Sequence, residues 1–174
     1  MLMSISLLDA DLQHWDESEC ETLVVTFFSD ERPLRGAAGL ADWRLCGRLS
    51  KYIKHRKITG MQYETLMLPP GRRMPFQRLL LIGLGASKDF DESAYLAHIT
   101  KIRAVVSKAG VTSYATQPPG RATELIGARR ALDLWLEHTD RDEYDHDVVL
   151  IEGQSGQREM AEVLRYRTAP IVPS

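Results

Sequence analysis

Residues 21–28 read Glu-Thr-Leu-Val-Val-Thr-Phe-Phe, a short run rich in β-branched and aromatic residues. Apolar and polar residues do not alternate along it, which is typical of a parallel strand covered on both faces. The apolar runs at 78–84 and 148–151 have the same character. Stretches with helical spacing separate these runs, and parallel strands need such crossovers. The sequence therefore predicts an α/β fold with three α/β/α layers and a mostly parallel sheet.

The stretches between the strands predict four helices. Residues 38–55 place Ala41, Leu45, Leu49 and Tyr52 on one face, and residues 158–165 form a short helix. Asp89 and Glu92 have the spacing of a capping box, which predicts that a helix starts there and runs to Gly110. The remaining helix carries one apolar face, and weaker strands complete the sheet. That face comprises Leu125, Ala128, Leu132 and Trp135, and the weaker strands span 5–8, 63–68, 111–115 and 169–172.

Length and composition limit the class of protein. The chain has 174 residues, of which 44% are hydrophobic and 26% charged, and a formal net charge of -2. This predicts one globular domain spanning 1–174, with no affinity for membranes and no global attraction for nucleic acid. The absence of a signal-like segment and the two unpaired cysteines, Cys20 and Cys46, predict a cytoplasmic protein with free thiols.

Three segments have the order strand, glycine turn, helix: 35–39, 83–87 and 153–156. Small residues there let backbone N–H groups approach a phosphate, and the helix that follows adds positive potential. Glycine at a tight turn after a strand is also ordinary backbone chemistry, so both interpretations stay open. The candidate ligand-binding residues are Arg35, Gly36, Ala37, Ala38, Gly39, Gly83, Gly85, Gly153, Ser155 and Gly156.

Other clusters favour structural interpretations over functional ones. The basic run 54–57 closes a predicted helix, where cations complement the helix dipole, and a nucleic-acid patch is the alternative. The run 138–147 is rich in acidic residues and histidine but has neither calcium-loop nor zinc-helix spacing, so we predict a solvated loop and no metal site. Trp15, Trp43 and Trp135 are assigned to packing.

Several strings resemble a known family. Residues 22–25, 33–41 and 47–49 look like the opening of the N-terminal domain of the leucyl aminopeptidase (M17) family, and 78–85 resembles its later strand and turn. The resemblance covers roughly Thr22 to Arg165 and implies a macro-domain-like fold. In that family a separate domain holds the two catalytic metal ions, and no segment here matches it. We therefore assign no catalytic residue, no metal ligand and no cofactor.

Three functions follow as hypotheses. The leading one is a stand-alone, non-catalytic module that acts in protein association or regulation, with itself or with a peptidase-like partner. The second is a module that binds or processes ADP-ribose-like nucleotides through the glycine loops. Against processing, the sequence contains no asparagine, which catalytic macro domains commonly carry near the first loop. The third is a remnant or subunit of a split aminopeptidase.

Overall fold

The computed structural model describes residues 4–139 and 146–168. Within them the chain forms a six-stranded sheet with helices on both faces, as the apolar runs predict. The strands are β1 (Ile5–Asp9), β2 (Thr22–Phe27), β3 (Thr65–Leu68), β4 (Arg78–Gly83), β5 (Ser113–Thr116) and β6 (Asp147–Glu152). The helices are α1 (Leu12–Asp16), α2 (Gly36–Arg44), α3 (Arg48–Lys54), α4 (Glu92–Lys108), α5 (Ala128–Thr139) and α6 (Gln154–Thr168).

The sheet has the order β1-β6-β5-β2-β4-β3. Every neighbouring pair is parallel except β3 and β4, which run antiparallel, so the predicted mostly parallel sheet is confirmed. The predicted strand over 5–8 is present as β1, which lies at one edge of the sheet. The predicted strand at 169–172 lies outside the described residues.

Strand β2 explains why the apolar runs do not alternate. Leu23, Val25 and Phe27 contribute to the core beneath α1, α2 and α3, whereas Val24 belongs to the core beneath α4, α5 and α6. All four side chains are at most 1% exposed. Since both faces of the strand are covered, every position gains from an apolar residue.

The predicted single helix over 38–55 is wrong, because two helices occupy this stretch. Cys46 and Gly47 have φ values of 55° and 76°, a left-handed conformation that ends α2. The carboxylate of Asp42 then accepts hydrogen bonds from the N–H groups of Leu49 and Ser50 and so caps α3. The predicted apolar face survives the break, since Ala41, Leu45 and Leu49 are all buried.

Four further local predictions need correction. The cap of α4 is Asp91, not Asp89, because Asp91 Oδ1 accepts the N–H of Ala94 at 2.8 Å. Residues 154–156 form the first turn of α6, not a loop, and this helix begins at Gln154 instead of at 158. Leu125 precedes α5 and is 47% exposed, so it does not share that helix's core face. Trp43 is 74% exposed and does not pack in the core, unlike the buried Trp15 and Trp135.

Both cysteines are free, as predicted, with Cys20 buried and Cys46 exposed. Of the acidic run 138–147, residues 140–145 lie outside the described part of the chain. None of the helices formed by residues 4–139 and 146–168 combines the length and the apolar character that crossing a membrane requires.

Candidate functional site

The loops that follow β2, β4 and β5 meet at the carboxyl edge of the sheet, where ligands bind in open α/β sheets. The loop after β2 (28–35) leads to α2, that after β4 (84–91) to α4, and that after β5 (117–127) to α5. Asp30 ties the first two loops together, since its carboxylate accepts the backbone N–H of Ser87 at 3.0 Å and its hydroxyl at 2.5 Å. These hydrogen bonds lower the pKa of Asp30. The candidate site is the crevice between these loops.

The start of α2 is capped by a side chain from the third loop. Gln117 Oε1 accepts the N–H of Ala37 at 2.8 Å. A Cβ on Gly36 would lie 2.1 Å from this oxygen and 2.6 Å from the Cβ of Ala122. Gly36, with φ at +55°, therefore has to be glycine because the 117–127 loop is so close. Ala37 and Ala38 are buried beneath the loop, so their small size serves the same contact.

A second internal acceptor fills the loop before α2. Glu31 is buried, and its two carboxylate oxygens accept the N–H groups of Phe28 at 3.1 Å and of Arg35 at 2.9 Å. Burial raises the pKa of Glu31, and the two backbone hydrogen bonds oppose that shift by favouring the charged form. Glu31 thus occupies two backbone donors of this loop, including the N–H of Arg35, one of the predicted ligand-binding residues.

The inner part of the crevice is consequently almost filled. This part, lined by Phe28, Glu31, Ala38, Gln117 and Gly120, leaves about 10 Å³, which is room for roughly one water molecule. A wider and more open depression of about 270 Å³ lies outside it. Arg32 and Arg35 line this outer depression together with Asp30 and Glu31, and both arginines are exposed. Gly39 is held by packing, since a Cβ there would lie 2.6 Å from the Leu34 carbonyl oxygen.

The second predicted segment serves the fold in this structure. A Cβ on Gly83 would lie 2.1 Å from the carbonyl oxygen of Met61. The N–H of Gly85 donates to the Gly60 carbonyl at 2.9 Å, and its own carbonyl accepts the N–H of Ser29 at 2.8 Å. These glycines allow the 60–61 segment to cross the end of β4. They lie on the opposite side of β2 from the 117–127 loop.

The third predicted segment follows β6 and is separated from α2 by β5 and its loop. Gly153 and Ser155 are exposed, and Gly156 packs against Glu152, which a Cβ would meet at 2.5 Å. The buried Glu152 carboxylate forms a two-pronged ion pair with Arg121, at 2.8 and 3.0 Å. This pair anchors the 117–127 loop to the end of β6, and it raises the pKa of Arg121. The structure therefore brings the 117–127 loop, and not 153–156, next to residues 35–39.

Four residues of this edge are not recognisable from the sequence: Glu31, Gln117, Arg121 and Glu152. Each is a polar residue outside any recognisable motif. Its hydrogen-bond partner is either distant in the sequence or brought close by a turn. The Pro118-Pro119-Gly120 turn indicates that a loop exists there. It does not indicate that the preceding glutamine caps a helix 80 residues earlier.

A small group of metal-type ligands lies at the end of β1. Asp9, Asp11 and His14 bring one ligand atom each within 4.8 Å of one another. Both ring nitrogens of His14 already have carboxylate partners, Asp11 at 2.5 Å and Asp9 at 3.2 Å. The hydrogen bond to Asp11 raises the pKa of His14. Asp9 also accepts from Gln157. Mutual pairing accounts for the group without an ion, and the prediction of no metal site stays a prediction.

Comparison with known proteins confirms the family resemblance. The family model for the N-terminal domain of the cytosol aminopeptidase family matches residues 24–132. A probable cytosol aminopeptidase of Thioalkalivibrio sulfidiphilus is 33% identical over 113 residues, which are 63% of this chain and 23% of that protein. The chain thus spans about a quarter of the length of this relative.

Two solved structures show the same fold. A tomato leucine aminopeptidase mutant superposes with a TM-score of 0.59 and 15% identity, over 94% of this chain and 36% of that one. A Trypanosoma brucei macrodomain in complex with ADP gives a TM-score of 0.70 and 11% identity, over 92% and 69% of the two chains. The predicted three-layer, macro-domain-like α/β fold is confirmed.

Proposed function

We propose that this chain, which belongs to the family of the cytosol aminopeptidase N-terminal domain, is a non-catalytic module that acts through protein association in the cytoplasm. The observation that carries the proposal is that the chain's own side chains fill the inner part of the crevice. Gln117 and Glu31 accept the N–H groups of Ala37 and Arg35, and the inner part leaves about 10 Å³ beside the open outer depression of about 270 Å³. A small-molecule pocket normally encloses several hundred Å³.

Exposed apolar side chains support a role in protein association. Within residues 4–139 and 146–168, six large hydrophobic residues are exposed, and three of them lie close together in sequence around β3. Apolar patches that remain exposed often mark sites of protein contact. The six are Trp43, Met61, Tyr63, Met67, Leu125 and Tyr166.

Static light scattering on the purified chain tests this function. The expected result is a molar mass that rises from monomer to oligomer with concentration, because association follows mass action. If the mass stays that of a monomer, the expected result is co-elution with a full-length cytosol aminopeptidase such as the Thioalkalivibrio relative. The co-elution experiment also tests a role as a subunit of a split aminopeptidase. A chain that neither self-associates nor co-elutes contradicts the proposal.

A second candidate function is the binding of ADP-ribose-like nucleotides. Two observations favour it: the fold likeness to a macrodomain in complex with ADP, and the exposed Arg32 and Arg35 beside the outer depression. Nucleotide binding requires Gln117 or Glu31 to leave the α2 donors, and the carboxylate of Glu31 would face the incoming phosphate. Saturable protection of the Ala37 amide by ADP-ribose is the signature of this function.

A further inference from the structure

We infer that β3 pairs with β3 of a second copy of this chain, so that two sheets join into one. This inference rests on the proposed function and names the partner and the surface. Strand β3 is an edge of the sheet, and no other strand within residues 4–139 and 146–168 pairs with its outer side. The strand is preceded by an irregular turn, in which Tyr63, with φ at 67°, donates its N–H to the Gly83 carbonyl at 3.0 Å.

The strand lacks the chemical features that keep an edge from pairing. Natural sheets protect exposed edges with charged residues or proline. Residues 65–68 read Thr-Leu-Met-Leu and contain neither. The carboxylate of the preceding Glu64 is turned back to its own loop, where it accepts the N–H groups of Thr59 and Gly60 at 2.8 and 3.0 Å. Among the residues that the structure describes, the edge is therefore neutral as well as unpaired.

Apolar side chains are exposed along this margin. Met61 is 67% exposed, Met67 55% and Tyr63 39%. The Tyr63 ring contacts His98 of α4, with 5.5 Å between ring centroids. Beside it, Tyr63 and one side of α4 line a shallow depression of about 440 Å³. An added strand would cover this depression and bury the exposed methionine side chains, which is the favourable apolar term.

The hydrogen-bonding pattern fixes the register of the pairing. Residues of an antiparallel strand alternate between those bonded to one neighbour and those facing the other side. Glu64 accepts from Gly83 at 2.8 Å, so Leu66 also bonds to β4, whereas Thr65 and Met67 direct their N–H and C=O groups outward. A two-fold axis at Leu66 sets Thr65 opposite Met67 of the second copy.

This register suits a second copy of the same chain. The two Thr65–Met67 pairs are equivalent under the two-fold axis and use all four outward N–H groups. Leu66 lies opposite Leu66 of the second copy, and Glu64 lies opposite its Leu68. No like charges therefore lie directly opposite each other. Pairing through a continued sheet is a general mode of strand recognition.

The variant Met67→Lys tests the inference by light scattering. Met67 is mostly exposed, so the fold should tolerate the change, while the edge gains a charge of the kind that blocks strand pairing. We expect the wild-type chain to be dimeric and the variant's dissociation constant to rise at least about tenfold. The matched control is Trp43→Lys, which also adds a charge at an exposed apolar residue, and it should remain dimeric.

Disulfide trapping gives a second measurement. Residues in a hydrogen-bonded antiparallel pair have Cα atoms about 5.5 Å apart, within disulfide range. Thr65→Cys with Met67→Cys, in a Cys46→Ser background, should therefore yield covalent dimers on oxidation, and Cys46→Ser alone should not.

Three results would overturn the pairing of β3. A wild-type chain that is monomeric at every concentration contradicts it, and leaves the proposed function to an external partner. A dimer that Met67→Lys leaves intact contradicts it while self-association stands. A dimer that dissociates in Trp43→Lys but not in Met67→Lys places the interface on α2 instead.

Discussion

Gly83 ends β4 directly against the carbonyl oxygen of Met61, and this contact decides how the glycine should be interpreted. A Cβ would lie 2.1 Å from that backbone oxygen, which cannot move away as a flexible side chain could. Gly153, predicted for the same ligand role, has open space around it and no positive φ. The two glycines therefore carry different constraints, although Gly83 is the last residue of β4 and Gly153 comes directly after β6.

Gly83→Ala is predicted to lower the free energy of unfolding by about 2 kcal/mol, because the added methyl group overpacks a rigid site. Urea denaturation with the slope held common measures the change. Gly153→Ser is the control, and it should change the free energy of unfolding by less than about 0.5 kcal/mol, since serine fits the space and can cap α6. Equal effects of the two substitutions would show that the Met61 contact does not constrain Gly83.

At the scale of elements, sequence periodicity locates the helices better than it locates their ends. The helix predicted to run to Gly110 is present as α4, and its apolar residues at helical spacing, Tyr95, Ile99, Ile102 and Val106, are all fully buried. Its cap is two residues later than predicted, because Asp89 lies in a short 3-10 turn and Glu92 forms an ion pair with Arg130. Spacing alone does not distinguish these arrangements, since the choice depends on a partner 38 residues away.

Asp91→Ala is predicted to lower the free energy of unfolding by about 1 kcal/mol, because the N–H of Ala94 loses its acceptor at the start of α4. Thermal denaturation followed by circular dichroism measures the effect as a lower Tm. Asp89→Ala is the matched control at an exposed aspartate two residues earlier, and it should leave the Tm nearly unchanged. A larger decrease in Tm for Asp89→Ala than for Asp91→Ala would show that Asp89 is the cap, as the sequence spacing predicts.

For the whole molecule, the class of fold is predictable because burial on both faces leaves apolar runs that local sequence displays. The order of the strands in the sheet, in contrast, cannot be predicted from local sequence. Placing β5 between β2 and β6 depends on long-range pairing, and this placement brings the 117–127 loop to α2 in place of 153–156. For the same reason Glu31 and Gln117, which fill the crevice, could not be recognised from the sequence. The sequence locates the glycine loops, but it does not show which side chains lie next to them in the fold.

The proposed function of protein association rests on the filling of the inner crevice by the chain's own side chains. Two side chains produce this filling, since Glu31 accepts the N–H of Arg35 and Gln117 accepts the N–H of Ala37. The Ala37 amide reports on it most directly, because Gln117 Oε1 is its hydrogen-bond acceptor at 2.8 Å.

Hydrogen exchange at the Ala37 amide, measured by NMR with and without saturating ADP-ribose, is the decisive measurement. We predict slow exchange in the free protein, no further slowing by ADP-ribose, and faster exchange in Gln117→Ala, where the acceptor is lost. Fast exchange in the free protein that becomes slower with ADP-ribose would contradict this prediction. The Ala37 N–H would then have no acceptor in the free protein and would donate to the ligand.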